Sequence, residues 1–69
     1  MLIQPEWGSR DVNRPYYECE AYNIAKLNTI LENVELTAEE TKSLVWLAGT
    51  EKSTINNIVS AMQKALDMK

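Results

Sequence analysis

Hydrophobic positions change their spacing near Tyr16, and the change divides the chain into an arm and a helical body. Residues 1–15 show no helical period: Leu2, Ile3 and Trp7 are scattered through a segment that holds both prolines and one of the two glycines, in Gln4-Pro5-Glu6-Trp7-Gly8-Ser9-Arg10 and Asn13-Arg14-Pro15. Proline removes a backbone donor and fixes φ, so a continuous helix is excluded here. The segment reads as an extended arm, with a short strand at Leu2-Ile3 and with Trp7 as its anchor on the body of the protein.

From Tyr16 the spacing becomes helical. Tyr17, Ala21, Ile24, Leu27, Leu31 and Val34 recur at steps of three and four, which predicts a first helix ending near Asn33 to Glu35. Its outer face would carry Glu18, Tyr22, Lys26, Thr29 and Asn33. Glu20 falls inside the apolar arc, so it is buried unless it sits at the fraying end. Thr37-Ala38-Glu39-Glu40 then has the form of a capping box, in which the threonine oxygen accepts an orphan N–H and Glu40 reaches back to the cap residue. A second helix starts there, with Leu44, Val45, Leu47 and Ala48 as its buried face. Gly49 is placed to enter the left-handed conformation at its end. Thr50 can cap a third helix at once, which forces a sharp corner. Ile55, Ile58, Val59, Met62 and Leu66 form the strongest stripe in the chain, with Ser53, Asn56, Asn57, Ser60, Lys64 and Asp67 opposite. The expected fold is all-α: an extended arm over 1–15 and a small three-helix bundle over 16–69, in a single domain.

Composition removes most chemistries. The 69 residues carry seven basic and ten acidic side chains, one cysteine and no histidine. A disulfide framework, a His or Cys zinc cluster and a histidine-based catalytic triad are all excluded. The two isolated glycines cannot make a phosphate-cradling loop. Glu39 and Glu40 point about 100° apart on an exposed helix start, too solvated for acid/base work. The expectation is a non-enzyme with no catalytic residue, cofactor or metal. Cys19, with no histidine to activate it, reads as structural or incidental in a reducing compartment. No stretch approaches a membrane span, and the start lacks the features of a signal peptide, so the expected location is cytoplasmic with no membrane partner.

Charge is unevenly placed. Residues 18–40 hold six acids against Lys26 alone, a net of −5, whereas 41–69 hold four lysines against Glu51 and Asp67, a net of +2. One reading of Glu32, Glu35, Glu39 and Glu40 is a solvated face plus acids favoured at a helix start. The other is an acidic surface that docks a basic partner.

Trp46 lies almost opposite the buried face of the second helix, near Lys42 and Glu39. Either the arm folds over it with Leu2, Ile3 or Trp7, or the indole is a partner-binding anchor, with Trp7 a second partner-binding candidate. A helix-turn-helix DNA reader is the alternative function. Gly49 would be the turn glycine, Leu44, Ala48, Ile55 and Ile58 the apolar positions, and Ser53, Asn56, Asn57 and Lys64 the groove-facing residues. Thr50 in the turn and a single cation on that face weigh against direct nucleic-acid binding, because phosphate neutralisation supplies most non-specific affinity.

Tyr22-Asn23-Ile24-Ala25-Lys26-Leu27-Asn28 resembles the Asn-Ile-x-x-Leu-Asn segment that opens a helix in antirestriction proteins of the ArdA type. Thr54-Ile55-Asn56-Asn57-Ile58-Val59-Ser60 is similar to a Ser-Val-x-Asp-Leu-Ile-Asn stretch of that family, and the likeness spans residues 22–67. It implies a module encoded on a mobile element or phage, related to proteins that imitate the charge of duplex DNA and occupy DNA-processing enzymes. Glu32, Glu35, Glu39 and Glu40 would then be the phosphate surrogates. This chain departs from the pattern in being a single module at −3. The function expected from all of this is contact with another macromolecule, a protein partner first, with self-association a further possibility.

Overall fold

The structure, a computed structural model, describes residues 1–68; the final residue of the expected bundle, Lys69, lies outside the described residues. Three helices follow the arm: α1 over Arg14–Leu31, α2 over Ala38–Ala48 and α3 over Lys52–Asp67. The all-α three-helix fold with an extended arm is therefore what the chain adopts.

α1 begins two residues before Tyr16. Asn13 caps it, with extended backbone and with Oδ1 accepting from the Tyr16 N–H at 2.8 Å. Pro15 sits in the first turn, where its missing N–H would have had no helical partner, so the residue read as punctuation belongs to the helix. At the other end α1 stops at Leu31 rather than near Asn33 to Glu35, and Val34 lies beyond it, exposed. The buried arc is Glu20, Asn23, Ile24 and Leu27, with Ala21 left in solvent. It is rotated from the purely apolar stripe because the arm and the α2–α3 corner both supply polar partners.

The capping box at the start of α2 is complete. Thr37 Oγ1 accepts from the Glu40 N–H at 3.1 Å, and the Glu40 carboxylate accepts from the Thr37 N–H at 2.8 Å. Thr50, expected to cap α3, instead donates its hydroxyl to the Leu47 carbonyl at 2.9 Å and closes the end of α2. Glu51 is the cap residue of α3 and makes no side-chain cap bond. Gly49 does not adopt the left-handed conformation: its φ is −78°. The requirement there is space, because the Tyr16 hydroxyl and ring stand where a Cβ would be.

α1 is the hub. α3 and α2 both pack on it and make little contact with each other. The core consists of Leu2, Ile24, Leu27, Ala48 and Ile55, with Leu31, Leu36, Leu44, Val45, Leu47 and Val59 packed around it. No strand forms at Leu2-Ile3. The Asn28 side-chain amide takes the place of a neighbouring strand: Oδ1 accepts from the Leu2 N–H at 2.8 Å and Nδ2 donates to the Leu2 carbonyl at 2.9 Å. Leu2, fully buried, is thus the arm's anchor, not Trp7, which stays 46% exposed. No helix among the described residues is long and apolar enough to cross a membrane.

Candidate partner-binding surface

The arm is held to the first half of α1 by charge. Glu20 is completely buried, yet its carboxylate receives a forked pair of bonds from Arg10, Nη1 to Oε2 at 3.0 Å and Nη2 to Oε1 at 2.5 Å. Gln4 Nε2 adds a third bond at 2.9 Å and also donates to the Tyr17 carbonyl. Burial by itself pushes the Glu20 carboxyl up, but the Arg10 and Gln4 hydrogen bonds and the Arg10 charge outweigh it and hold the group below the usual carboxylate range. The same bonds raise Arg10. Further along the arm, Trp7 lies edge-on to Tyr17 with ring centroids 5.1 Å apart, and the Arg14 guanidinium sits 4.2 Å from the centre of the Trp7 ring.

The α2–α3 corner is fixed from below by Asn23. Its buried Nδ2 donates to the Ala48 and Thr50 carbonyls, each at 2.8 Å, so one amide satisfies two carbonyls that a helix end leaves unpaired. Cys19 lies half-buried beside it, its thiol 3.9 Å from the Thr50 carbonyl. The cysteine packs against the corner.

With the arm and corner engaged on α1, nothing covers the outer side of α2. Trp46 is 76% exposed, and the arm does not fold over it as the sequence suggested: Leu2, Gln4 and Arg10 are all committed to α1. The indole lines a shallow apolar depression with Leu44 and Leu47, bordered by Glu39, Lys42 and Ser43. Glu39 and Trp46 are seven residues apart on one face, about 10 Å along the helix. Glu32 ends α1, Glu35 lies in the following turn, and Glu39 and Glu40 open α2; all four are exposed. The ion pair among the described residues is Arg10 with Glu20, so among them no cation pairs with these four carboxylates. Glu40 differs from the others in that its carboxylate closes the capping box. Trp7 is not brought to this surface, since its ring is engaged by Tyr17 and Arg14.

The groove-facing candidates of α3, Ser53, Asn56, Asn57 and Lys64, are all exposed. Asn56 and Lys64 line a groove of mixed character between α1 and α3 together with Lys26, Thr29, Val59, Ser60, Gln63 and the acid Asp67. Lys26 is the cation that inspection of α3 alone misses, because it comes from another helix; its place on the outer face of α1 was the available signal. Lys52 is directed elsewhere, with its ammonium 4.7 Å from the centre of the Tyr22 ring. Among the described residues no three metal-ligating side chains come together. Comparison of the chain with family models, with curated proteins and with solved structures finds no match to any of them.

Proposed function

We propose that this chain is a non-catalytic docking module, acting in the cytoplasm, that presents the outer side of α2 to a protein partner. The carrying observation is Trp46: a large aromatic left 76% exposed while a carboxylate of the same chain is completely buried. Aromatic side chains over small apolar depressions are the usual centres of protein interfaces, and a charged border adds specificity and association rate. Trp46, Leu44 and Leu47 would supply the apolar contact. Glu39, with Glu32, Glu35 and Glu40 beyond it, gives the partner a reason to be basic.

A DNA-processing enzyme, as the ArdA-type likeness implies, is one partner of that chemistry, since its own binding surface is cationic. The residues on which that likeness rests most, Asn23, Ile24, Leu27 and Asn28, serve the fold: they clamp the corner, fill the core and hold the arm. The four glutamates therefore have to carry any mimicry of phosphate.

The test is capture of binding partners from the source cells with three forms of the protein. Trp46→Ala should abolish capture of a partner that the unaltered chain retains. Joint replacement of Glu32, Glu35, Glu39 and Glu40 by glutamine should weaken it while leaving the helices intact, because glutamine also completes a capping box. A partner retained equally by all three forms would refute the reading. The α2–Gly49–α3 corner and the Lys26–Lys64 groove favour one alternative, a helix-turn-helix contact with duplex DNA. Under that alternative the glutamine replacements strengthen salt-dependent DNA binding instead of weakening protein capture.

A further inference from the structure

The second uncovered surface is on α3, and it has a different character. α3 carries the clearest two-faced pattern in the chain, yet only Ile55 of its stripe is buried. Ile58 and Met62 are half-covered, Leu66 is 46% exposed, and Ala61 and Ala65 are open to solvent. Met62, Ala65 and Leu66 form, with Ile30 of α1, an almost wholly apolar groove along the far end of the α1–α3 pair. Thr54, Ile58, Ala61 and Ala65 follow one another at steps of four, three and four, the spacing of a helix seam that meets another helix along its length. At 100° per residue none of the charged side chains of α3, Lys52, Lys64 or Asp67, falls in the arc from Ala61 to Leu66.

The shape of the subunit gives the missing cover a size. The chain extends 41 × 26 × 15 Å, with a radius of gyration of 12.3 Å, where a compact chain of this length has about 11 Å. Its accessible surface is 4996 Å²; a compact monomer of the same mass exposes about 4400 Å². The excess of some 600 Å² belongs to the whole subunit, the Trp46 side included, and is of the same order as the roughly 800 Å² that each partner gives to a standard interface.

We propose that a second copy of this chain covers that face, in a two-fold dimer whose α3 helices run antiparallel along a seam of Thr54, Ile58, Ala61, Ala65 and Met68. Two identical faces meet without repulsion only if they carry no net charge, and among the described residues the seam from Thr54 onward presents no charged side chain; Glu51, the cap residue of α3, lies just before it. Ala61 lets the two backbones approach closely and, with the seam running on to Met68, stands at its middle, so a two-fold axis brings each Ala61 next to its own counterpart. The assignment is independent of the Trp46 surface.

Sedimentation equilibrium on the full chain should show reversible association to twice the monomer mass. Ala61→Lys should weaken it by about tenfold or more while preserving the helical circular dichroism, because position 61 is exposed in the subunit. Trp46→Ala should leave the mass unchanged. In a Cys19→Ser background, Ala61→Cys should form an intermolecular disulfide under mild oxidation and Ser60→Cys should not, since only a residue that faces its own copy satisfies the short Cβ separation a disulfide needs. A monomeric mass throughout, a dimer that survives Ala61→Lys, or cross-linking equally efficient at 60 and 61 would each overturn the proposal.

Discussion

The first half of α1 and the outer side of α2 invert the usual rule of polarity. On α1 a carboxylate and an amide are completely buried, Glu20 under the arm and Asn23 under the corner; on α2 an indole stands in water. The difference follows from what each element has beside it. Ten residues before Glu20 the chain offers Arg10, and Gln4 reaches the same carboxylate, so charge can be buried because it is matched. α2 packs on α1 through one side only and has no neighbour on the other, so Trp46 finds nothing to cover it. Polar groups with specific partners hold this small fold together, and apolar groups without partners are what it offers outward.

The largest effect expected is at the buried pair. Arg10→Ala leaves the Glu20 carboxylate sealed in with Gln4 as its sole remaining donor, and should cost about 3 kcal/mol at neutral pH, the lower end for breaking a buried pair because the Arg10 side chain is 30% exposed. The pH dependence separates this from simple loss of packing. In the unaltered chain Glu20 is held below its ordinary value, so the stability it contributes is fully present above the unfolded carboxyl value near ~4.3 and is lost as the pH falls through the lower folded one. In the variant the burial that raises Glu20 is no longer offset by Arg10, the folded value moves up, and the penalty shrinks as the pH falls. Urea midpoints at about pH 4, 5 and 7 should therefore fall with acid for the native chain and rise for Arg10→Ala relative to it. Parallel curves would show that the pair contributes nothing to the arm's attachment.

Asn23→Ala comes next. It strips the donor from two carbonyls at once and should cost roughly 2 kcal/mol, lowering the melting temperature by on the order of 10 °C. A loss no larger than that of an exposed asparagine such as Asn57 would mean that the corner holds itself.

These two residues also show how far the sequence could be read. Period and capping chemistry are local, so the three helices, the Thr37–Glu40 box and the burial of Glu20 were legible. What satisfies Glu20 was not, because Arg10 lies in an irregular segment whose path no periodicity specifies. The sequence places Asn13 and Pro15 in the arm because a proline reads as a stop unless its place in the first turn of a helix is specified. The exposure of Trp46 was visible on the helical wheel; that the arm would leave it uncovered depended on Leu2 finding Asn28, a side chain that imitates a strand. Glu32, Glu35 and Glu39 are visible as charges in the sequence, but that none of them forms an ion pair among the described residues is a property of the fold alone.

Gly49 yields a smaller effect with a specific rescue. A methyl group added there meets the Tyr16 hydroxyl, so Gly49→Ala should cost about 1 kcal/mol as the half-exposed ring is displaced. Tyr16→Phe removes the hydroxyl, and the double variant should regain most of that loss. Additive losses in thermal melts of the four proteins would mean that the glycine is needed for its backbone and not for its missing side chain.

The smallest effect on stability is expected where the largest effect on function is proposed. Trp46 is 76% exposed, so Trp46→Ala should change the unfolding free energy by no more than about 0.5 kcal/mol. A tryptophan kept only for packing could not be removed so cheaply. A docking anchor can, and its loss should weaken a partner's affinity by at least about thirtyfold. Trp7→Ala is the matched control: Trp7 is partly covered by Tyr17 and Arg14, so its removal should loosen the arm measurably and leave partner binding unchanged. If the two tryptophans exchanged behaviours, with Trp46 mattering for stability and Trp7 for binding, the contrast between a matched interior and an unmatched exterior would be assigned to the wrong ends of the molecule.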